Sequence, residues 1–433
     1  MVDLATVSIT LFLLLVIFLG SSVWIGISLF LIGFGGLILF TEVPFGIVLS
    51  NNVWNNTSGS AMLALPMFIW MGEILFRSRI SQNLFNGLAP WMDAIPGRLL
   101  HVNIIACTFF AAVSGSSAAT TATVGKITVP ELQSRGYNKR LSFGSLAGAG
   151  TLGFLIPPSM MMLVYGIIGD VSIGKLFIAG VIPGAMIALL FSGYILVRGL
   201  INPKLAPAGA DRYTWKRRLL GLKEIAPVGV LIFVVLGSLY LGWATPTEAG
   251  VVGVVGALFF ALLTGSLDGP VFMASLRGAI KTSSMIMLIV MGAGYLSVAI
   301  GYLGITRQLT MYVSEMGLSP YMLIFILTIL YLLLGCLLDG FSMIVMTTPI
   351  VLPLVQVVGF DPVWFGIYIV LMIELAQITP PVGFNLFVIS GLTNEDIMTI
   401  ARAALPFFLL LCAATVLVTL FPKLVLYLPE LMR

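Results

Sequence analysis

Three hydroxyls surround a glycine at Ser114-Gly115-Ser116-Ser117, inside the small-residue run Ala111 to Thr123. A glycine there permits a sharply turned or unwound backbone, whose freed carbonyls join the serine hydroxyls as hard oxygen ligands for a small cation such as sodium. The same composition also makes a helix-packing seam, because Gly, Ala, Ser and Thr let helices approach closely in lipid. A second feature downstream favours the ion site. In Gly150-Thr151-Leu152-Gly153-Phe154-Leu155-Ile156-Pro157-Pro158-Ser159, two consecutive prolines remove two backbone donors and bar helical geometry at the residue before them. A helix must break there, and paired broken helices at membrane depth are where transporters bind ions and solutes.

Both features recur. Subtracting 157 from 380 gives 223, and that shift, without a gap, carries Pro157-Pro158 onto Pro380-Pro381, Pro130 onto Pro353, Gly136 onto Gly359 and Pro183 onto Pro406. The Ser-rich turn falls on Gly335-Cys336-Leu337-Leu338-Asp339-Gly340-Phe341-Ser342, with Ser116 on Asp339; the break falls on Glu374-Leu375-Ala376-Gln377-Ile378-Thr379-Pro380-Pro381-Val382. An ionisable residue in so apolar a setting is costly and marks a site. Asp339, the carbonyls around Gly340 and the Thr379 hydroxyl form a candidate second cation site. The alternative is that Asp339 caps a helix at the membrane edge, since Asp-Gly also reads as a turn. For Glu374 the readings stay open: facing a cavity, carrying a proton, or holding the Gln377 or Asn385 backbone in place. After the second break, Val382-Gly383-Phe384-Asn385-Leu386 begins a half-helix whose free amides favour an anion, a small carboxylate by preference. Ser117, Ser159, Gly383 and Asn385 are the candidate solute contacts.

The elements that position these residues must lie in a bilayer. Of 433 residues, 59% are hydrophobic and 9% charged, with a mean hydropathy of +1.12, too apolar for a soluble domain. A span takes about 20 helical residues. Candidate runs are Leu4–Gly20, Ser22–Phe40, Ala61–Phe76, Leu99–Val113, Leu141–Ile156, Leu176–Val197, Ile225–Gly242, Ala249–Leu263, Ser283–Tyr302, Met322–Leu338, Trp364–Ile378 and Ala403–Phe421. The first follows Asp3 rather than a basic region, so it is expected to stay as a span. The chain divides into a first membrane repeat at 1–200, a cytoplasmic linker at 201–223 and a second repeat at 224–433. The linker holds Lys204, Pro207, Gly209, Arg212, Lys216, Arg217, Arg218 and Lys223. Arg135, Lys139 and Arg140 mark a turn whose counterpart, Val358 to Val363, has only Asp361; Arg77 and Arg79 correspond to Ile300 and Tyr302. Basic loops face the cytoplasm, so equivalent loops on opposite sides imply an inverted repeat.

Several chemistries are excluded or demoted. Cys107, Cys336 and Cys412 stand singly, His101 is the sole histidine, and no GxxxxGK[ST] phosphate loop occurs, so nucleophilic, metal-centred and ATP-driven chemistry lack their residues. The net charge of +4 is spread over loops and points to no nucleic acid. An ion channel would also place broken helices at midplane, but two non-identical sites in one duplicated chain suit alternating access better. A non-transporting scaffold leaves Asp339 and the paired breaks unexplained.

The run Ala147 to Ser159, followed by Tyr165-Gly166 and Ser172-Ile173-Gly174-Lys175-Leu176-Phe177, resembles the large membrane subunit of TRAP (tripartite ATP-independent periplasmic) transporters. So does Ile378-Thr379-Pro380-Pro381-Val382-Gly383, and the likeness extends to Ala64-Leu65-Pro66-Met67-Phe68 and Arg402 to Phe407. The resemblance implies an all-α elevator transporter of a bacterial inner membrane, in which two re-entrant hairpins carry an organic anion and sodium past a scaffold. It implies a first sodium site at Ser114, Ser116, Gly153, Ile156 and Pro158. A second is expected around Asp339, Gly340, Ala376, Thr379 and Pro381, where Asp339 and Ala376 stand in place of a Ser and a Gly. It also implies two partners on separate chains: a small four-span membrane subunit, with the exposed faces of the first spans as candidate contacts, and a soluble periplasmic binding protein. The anion itself, whether sialate, a dicarboxylate, another sugar acid or a sulfonate, is left open.

Overall fold

A computed structural model describes residues 4–21, 23–207, 213–336, 338–381 and 383–432. Asp3, Ser22, Gly209, Arg212, Leu337 and Val382, invoked above, lie outside the described residues. Described residues form α-helices, one 3-10 turn (Pro203–Leu205) and connections, without strands. The first ten helices are α1 (Leu4–Gly20), α2 (Ile25–Phe40), α3 (Phe45–Ser58), α4 (Ser60–Arg77), α5 (Ile80–Met92), α6 (Leu100–Ser114), α7 (Ser117–Ser134), α8 (Lys139–Leu155), α9 (Met160–Ile168) and α10 (Ile173–Ile201). The rest are α11 (Trp215–Tyr240), α12 (Pro246–Leu263), α13 (Gly269–Tyr302), α14 (Ile305–Glu315), α15 (Pro320–Gly335), α16 (Gly340–Val357), α17 (Pro362–Gln377), α18 (Phe384–Thr393), α19 (Ile397–Leu420) and α20 (Lys423–Leu431).

Every apolar run of the sequence falls on one of these helices. Among the described residues, seven segments are long and apolar enough to cross a bilayer, or eight when α4 and α5, bent by 67° at their junction, count as one span. The difference is physical. At 1.5 Å per residue, the 15 residues of α6 or the 16 of α15 and α17 reach roughly 24 Å, short of the ~30 Å hydrocarbon core. These are arms of hairpins and broken helices: α6 turns through Gly115-Ser116 into α7, and α15 through residues 336–339 into α16.

Adding 223 to the bounds of α7 gives those of α16, 340–357, and the same shift carries α8, α9 and α10 to within a few residues of α17, α18 and α19. The match is looser elsewhere. Where the first half has α3 and α4 separated at Gly59, the second has the single 34-residue α13. Helix α11 starts at Trp215, inside the expected linker. Thr214 caps it by accepting the Arg217 amide at 3.3 Å, Arg217 pairs with Glu224 at 2.9 Å, and Trp215 meets Trp91 edge-on.

Helices α8 and α17 lie at the centre. All residues from Leu141 to Leu155 and from Val363 to Gln377 are buried, as expected for helices apolar on all sides. They pack on each other; α6, α7, α10 and α19 surround α8, while α15, α16, α10 and α19 surround α17. The outer helices α1, α2, α11 and α12 expose Phe12, Ile17, Ile27, Phe233 and Phe259, an apolar coat that suits lipid or another apolar helix rather than water. The first proline break therefore sits in the most protected part of the molecule, whereas the second opens toward the surface at Pro381.

Candidate functional site

The first centre is closed by backbone contact. Gly115 ends α6 in the left-handed conformation (φ +57°) and donates its N–H to the Ala111 carbonyl at 2.9 Å. Ser116 then caps α7, accepting the Ala119 amide at 3.4 Å, while the Ser114 and Thr120 hydroxyls share a hydrogen bond of 2.8 Å. The tip rests on the break at Gly153, where a Cβ would lie 2.5 Å from the Cα of Ser117 and 2.6 Å from the Ser116 carbonyl oxygen. Only glycine admits that approach. Ile156 ends α8 in extended geometry, with its N–H on Leu152 O at 3.0 Å. Pro157 has no N–H for the Gly153 carbonyl, and a Cβ on Gly115 would lie 3.0 Å from the Pro158 carbonyl oxygen, so the Pro158 carbonyl stands close to the serine turn. Hydroxyl and carbonyl oxygens in this density fit a hard monovalent cation. Ser159 closes the break differently: its hydroxyl donates to the Phe154 carbonyl and accepts the Met162 amide at 3.3 Å, capping α9.

The second centre is built on the same plan with other residues. Asp339 caps α16, accepting the Phe341 amide at 3.0 Å and the Ser342 hydroxyl, and its side chain is exposed. The capping role weighed in the sequence is thus present, on a carboxylate that no described ion pair engages. Gly340 packs on Ile373 and Met161, where a Cβ would meet their side chains at 2.6 and 2.9 Å. Ala376 occupies the place of Gly153, and room for its methyl comes from Gly335 on α15, whose own Cβ would collide with it. The glycine has changed sides of the contact. Thr379 is half-buried and donates to Leu375 O at 2.6 Å; Pro381 is exposed. Gly383, at φ +34°, starts α18, which has no side-chain cap. The two centres touch: Phe154 of the first break and Phe341 of the second hairpin meet edge-on at 6.2 Å.

Ser117 and Asn385 do not line a cavity in this conformation. Both are fully buried, and they are joined to the buried Glu374. Asn385 donates to the Ser117 hydroxyl at 2.8 Å, the Ser117 hydroxyl lies 2.9 Å from Gly150 O and 3.3 Å from Glu374 Oε2, and the Phe154 amide donates to Glu374 Oε1 at 2.8 Å. Glu374 thus ties the second broken helix to the first. The sequence offers the Gln377 or Asn385 backbone as its partner; the backbone it holds is the Phe154 amide, one residue past Gly153, in the counterpart of its own segment. His101 is buried and its ring nitrogen lies 2.8 Å from Pro96 O, a packing role. A cleft of about 530 Å³ beside the end of α9, lined by Asn55, Met62, Gly166, Asp170, Ser172 and Pro246, offers a carboxylate and no cation, which is poor chemistry for an anion.

Buried broken helices and paired hairpins in an all-helical, apolar chain define a multi-pass membrane transporter fold. The crystal structure of the Alcanivorax borkumensis YdaH transporter shares it, with a TM-score of 0.59 over 86% of this chain and 88% of that one, at 14% identity, a likeness of fold alone. Residues 11–424 match the family described as "Tripartite ATP-independent periplasmic transporter, DctM component", and the chain belongs to that family. Among its relatives, the C4-dicarboxylate TRAP transporter large permease protein DctM of Pseudomonas aeruginosa is 33% identical over 85% of this chain and 86% of its own. The sialic acid TRAP transporter large permease protein SiaM of Vibrio cholerae is 29% identical over 94% of this chain and 97% of its own. The protein is a transporter component and not an enzyme.

Proposed function

We propose that this chain is the membrane carrier for sodium-coupled uptake of a small organic anion in a bacterial inner membrane, moving by an elevator mechanism. The observation that carries the reading is the first hairpin tip, whose Ser116-Ser117 backbone is seated on the break at Gly153 with the Pro158 carbonyl beside Gly115, together with a second hairpin that repeats the plan around the Asp339 cap. In the first site Ser114, Ser116 and the carbonyl-bearing Gly153, Ile156 and Pro158 would replace sodium's water shell. Asp339, Gly340, Ala376, Thr379 and Pro381 would do so in the second. An ion shared by tip and break would bind both together and disfavour an opened hairpin, so the loaded unit moves as one body. Solute contacts of this reading are the Gly383 turn and the first amides of α18, a partial positive end suited to a carboxylate. Ser117, Ser159 and Asn385 spend their polar groups inside the fold, so this conformation offers none of the three to solute.

Relatives whose names specify a dicarboxylate and a sialic acid stand at similar identity, so likeness supports an organic acid and no one acid. A tripartite family supports two partners on other chains: a small four-span membrane subunit against the exposed apolar helices, and a periplasmic binding protein that delivers the solute. The test is reconstitution into vesicles with both partners, followed by uptake of labelled dicarboxylates, sialate, sugar acids and sulfonates. Uptake of one acid that requires the sodium gradient and both partners is expected. Uptake without sodium, or through the carrier alone, would overturn the coupling or the partnership respectively.

A further inference from the structure

Ser117 has one hydroxyl proton and three acceptor oxygens around it: Gly150 O at 2.9 Å, Asn385 Oδ1 at 3.2 Å and Glu374 Oε2 at 3.3 Å. It can satisfy one of them. The remaining oxygens are left around the same hydroxyl in a site where Ser117 and Asn385 are 0% and Glu374 1% exposed. Thr121 lies one turn beyond Ser117 on α7, is also 0% exposed, and its hydroxyl has no partner. That hydroxyl is aimed at the same place, for a Cβ built on Gly150 would run into Thr121 Oγ1 and stand 3.3 Å from Asn385 Nδ2. An orphaned buried hydroxyl costs about 1–3 kcal/mol and calls for a ligand. Gly150 keeps the space between Thr121 and Asn385 free of a side chain. Among described residues no Lys, Arg or His pairs with Glu374.

We propose that Glu374, Ser117, Thr121, Asn385 and the Gly150 carbonyl form a further monovalent-cation site, for sodium, buried between the two broken helices behind the first hairpin tip and distinct from the ion sites of both hairpins. The chemistry is a set of hard oxygens with one carboxylate. Oxygens 3.2–3.3 Å apart are close to the spacing of about 3.4 Å that neighbouring ligands of a six-coordinate ion at about 2.4 Å must adopt. The amide of Asn385 can present its oxygen to the ion by turning over, since the hydroxyl it now bonds accepts and donates alike. The site joins α7 and α8 of one half to α17 and α18 of the other, so its ion would lock the halves of the carrier together. This proposal rests on the sodium-coupled reading above.

The experiment is equilibrium binding of radiolabelled sodium to the purified complex of this chain with its small subunit, comparing wild type, Glu374→Gln, Thr121→Val and Ser116→Ala. The wild type is expected to bind one more sodium per carrier than Glu374→Gln. Thr121→Val is expected to weaken one class of sites by about tenfold or more while the others keep their affinity. The valine variant separates binding from folding, because deleting an unsatisfied buried hydroxyl leaves stability unchanged or raises it, whereas a ligand lost shows in sodium affinity. Equal stoichiometry in wild type and Glu374→Gln, with unaltered affinity in Thr121→Val, would overturn the site even if Ser116→Ala still loses an ion. No sodium bound by any form would overturn the coupled reading as well.

Discussion

The two hairpin centres share a plan and differ in closure. In the first, the cap is a neutral serine and the break carries the glycine, so tip and break meet backbone to backbone; Ser114, Gly153 and Pro158 are buried, Ser116 and Ile156 half-buried. In the second, the cap is an aspartate open to the surface, the break carries Ala376, and the clearance comes from Gly335 across the contact. The glycine at the contact between hairpin and break is therefore supplied from either side rather than fixed at one position. The charge differs too. A cation at the second centre meets a carboxylate, whereas at the first it relies on neutral dipoles, so the two should not bind sodium equally.

Substitutions can break that comparison. The largest effect is expected for Gly153→Val, whose side chain has no room against the Ser116-Ser117 backbone; uptake in reconstituted vesicles should fall by 100-fold or more, on the order of what small misplacements cost at a site. Ala376→Gly, at the equivalent position, should leave uptake within about twofold, because Gly335 already supplies the space. Asp339→Asn removes the one charge of the second centre, and the sodium concentration for half-maximal uptake should rise about tenfold. Gly335→Ala should cost about 1–3 kcal/mol of stability by overpacking against Ala376, read by denaturant or thermal unfolding. The double variant Gly335→Ala with Ala376→Gly should recover most of it, and failure to recover would show that the two positions do not exchange clearance. Smallest is Ser116→Ala in the absence of sodium, which loses a cap worth about 1 kcal/mol in the same unfolding assay.

Much of the fold was legible because the bilayer imposes simple rules. Each apolar run became a helix, and the Pro157-Pro158 and Pro380-Pro381 pairs mark where α8 and α17 stop, since proline chemistry acts locally. The amphipathic α5 and α14 and the second hairpin arm α7 escaped the count of spans, α7 being interrupted by polar residues such as Ser117, Thr120 and Thr121 that only burial within the fold makes tolerable; α16, which carries Pro349 and Pro353, escaped it too although it is long and apolar enough to cross. Tertiary facts were out of reach. Nothing local predicts that the Phe154 amide finds Glu374, 220 residues away, or that Gly335 makes room for Ala376. The one available hint was an unpaired acid, Glu374, in an apolar helix, which signals that a distant partner exists without naming it.

The most direct test of sodium coupling through the two hairpin centres is the initial rate of solute uptake against sodium concentration, in vesicles holding the complete tripartite system, for wild type, Ser116→Ala and Asp339→Asn. Coupling through both centres predicts a cooperative sodium dependence in the wild type that each variant flattens and shifts to higher sodium, Asp339→Asn more than Ser116→Ala. A rate indifferent to sodium, or a dependence that neither variant alters, would contradict it.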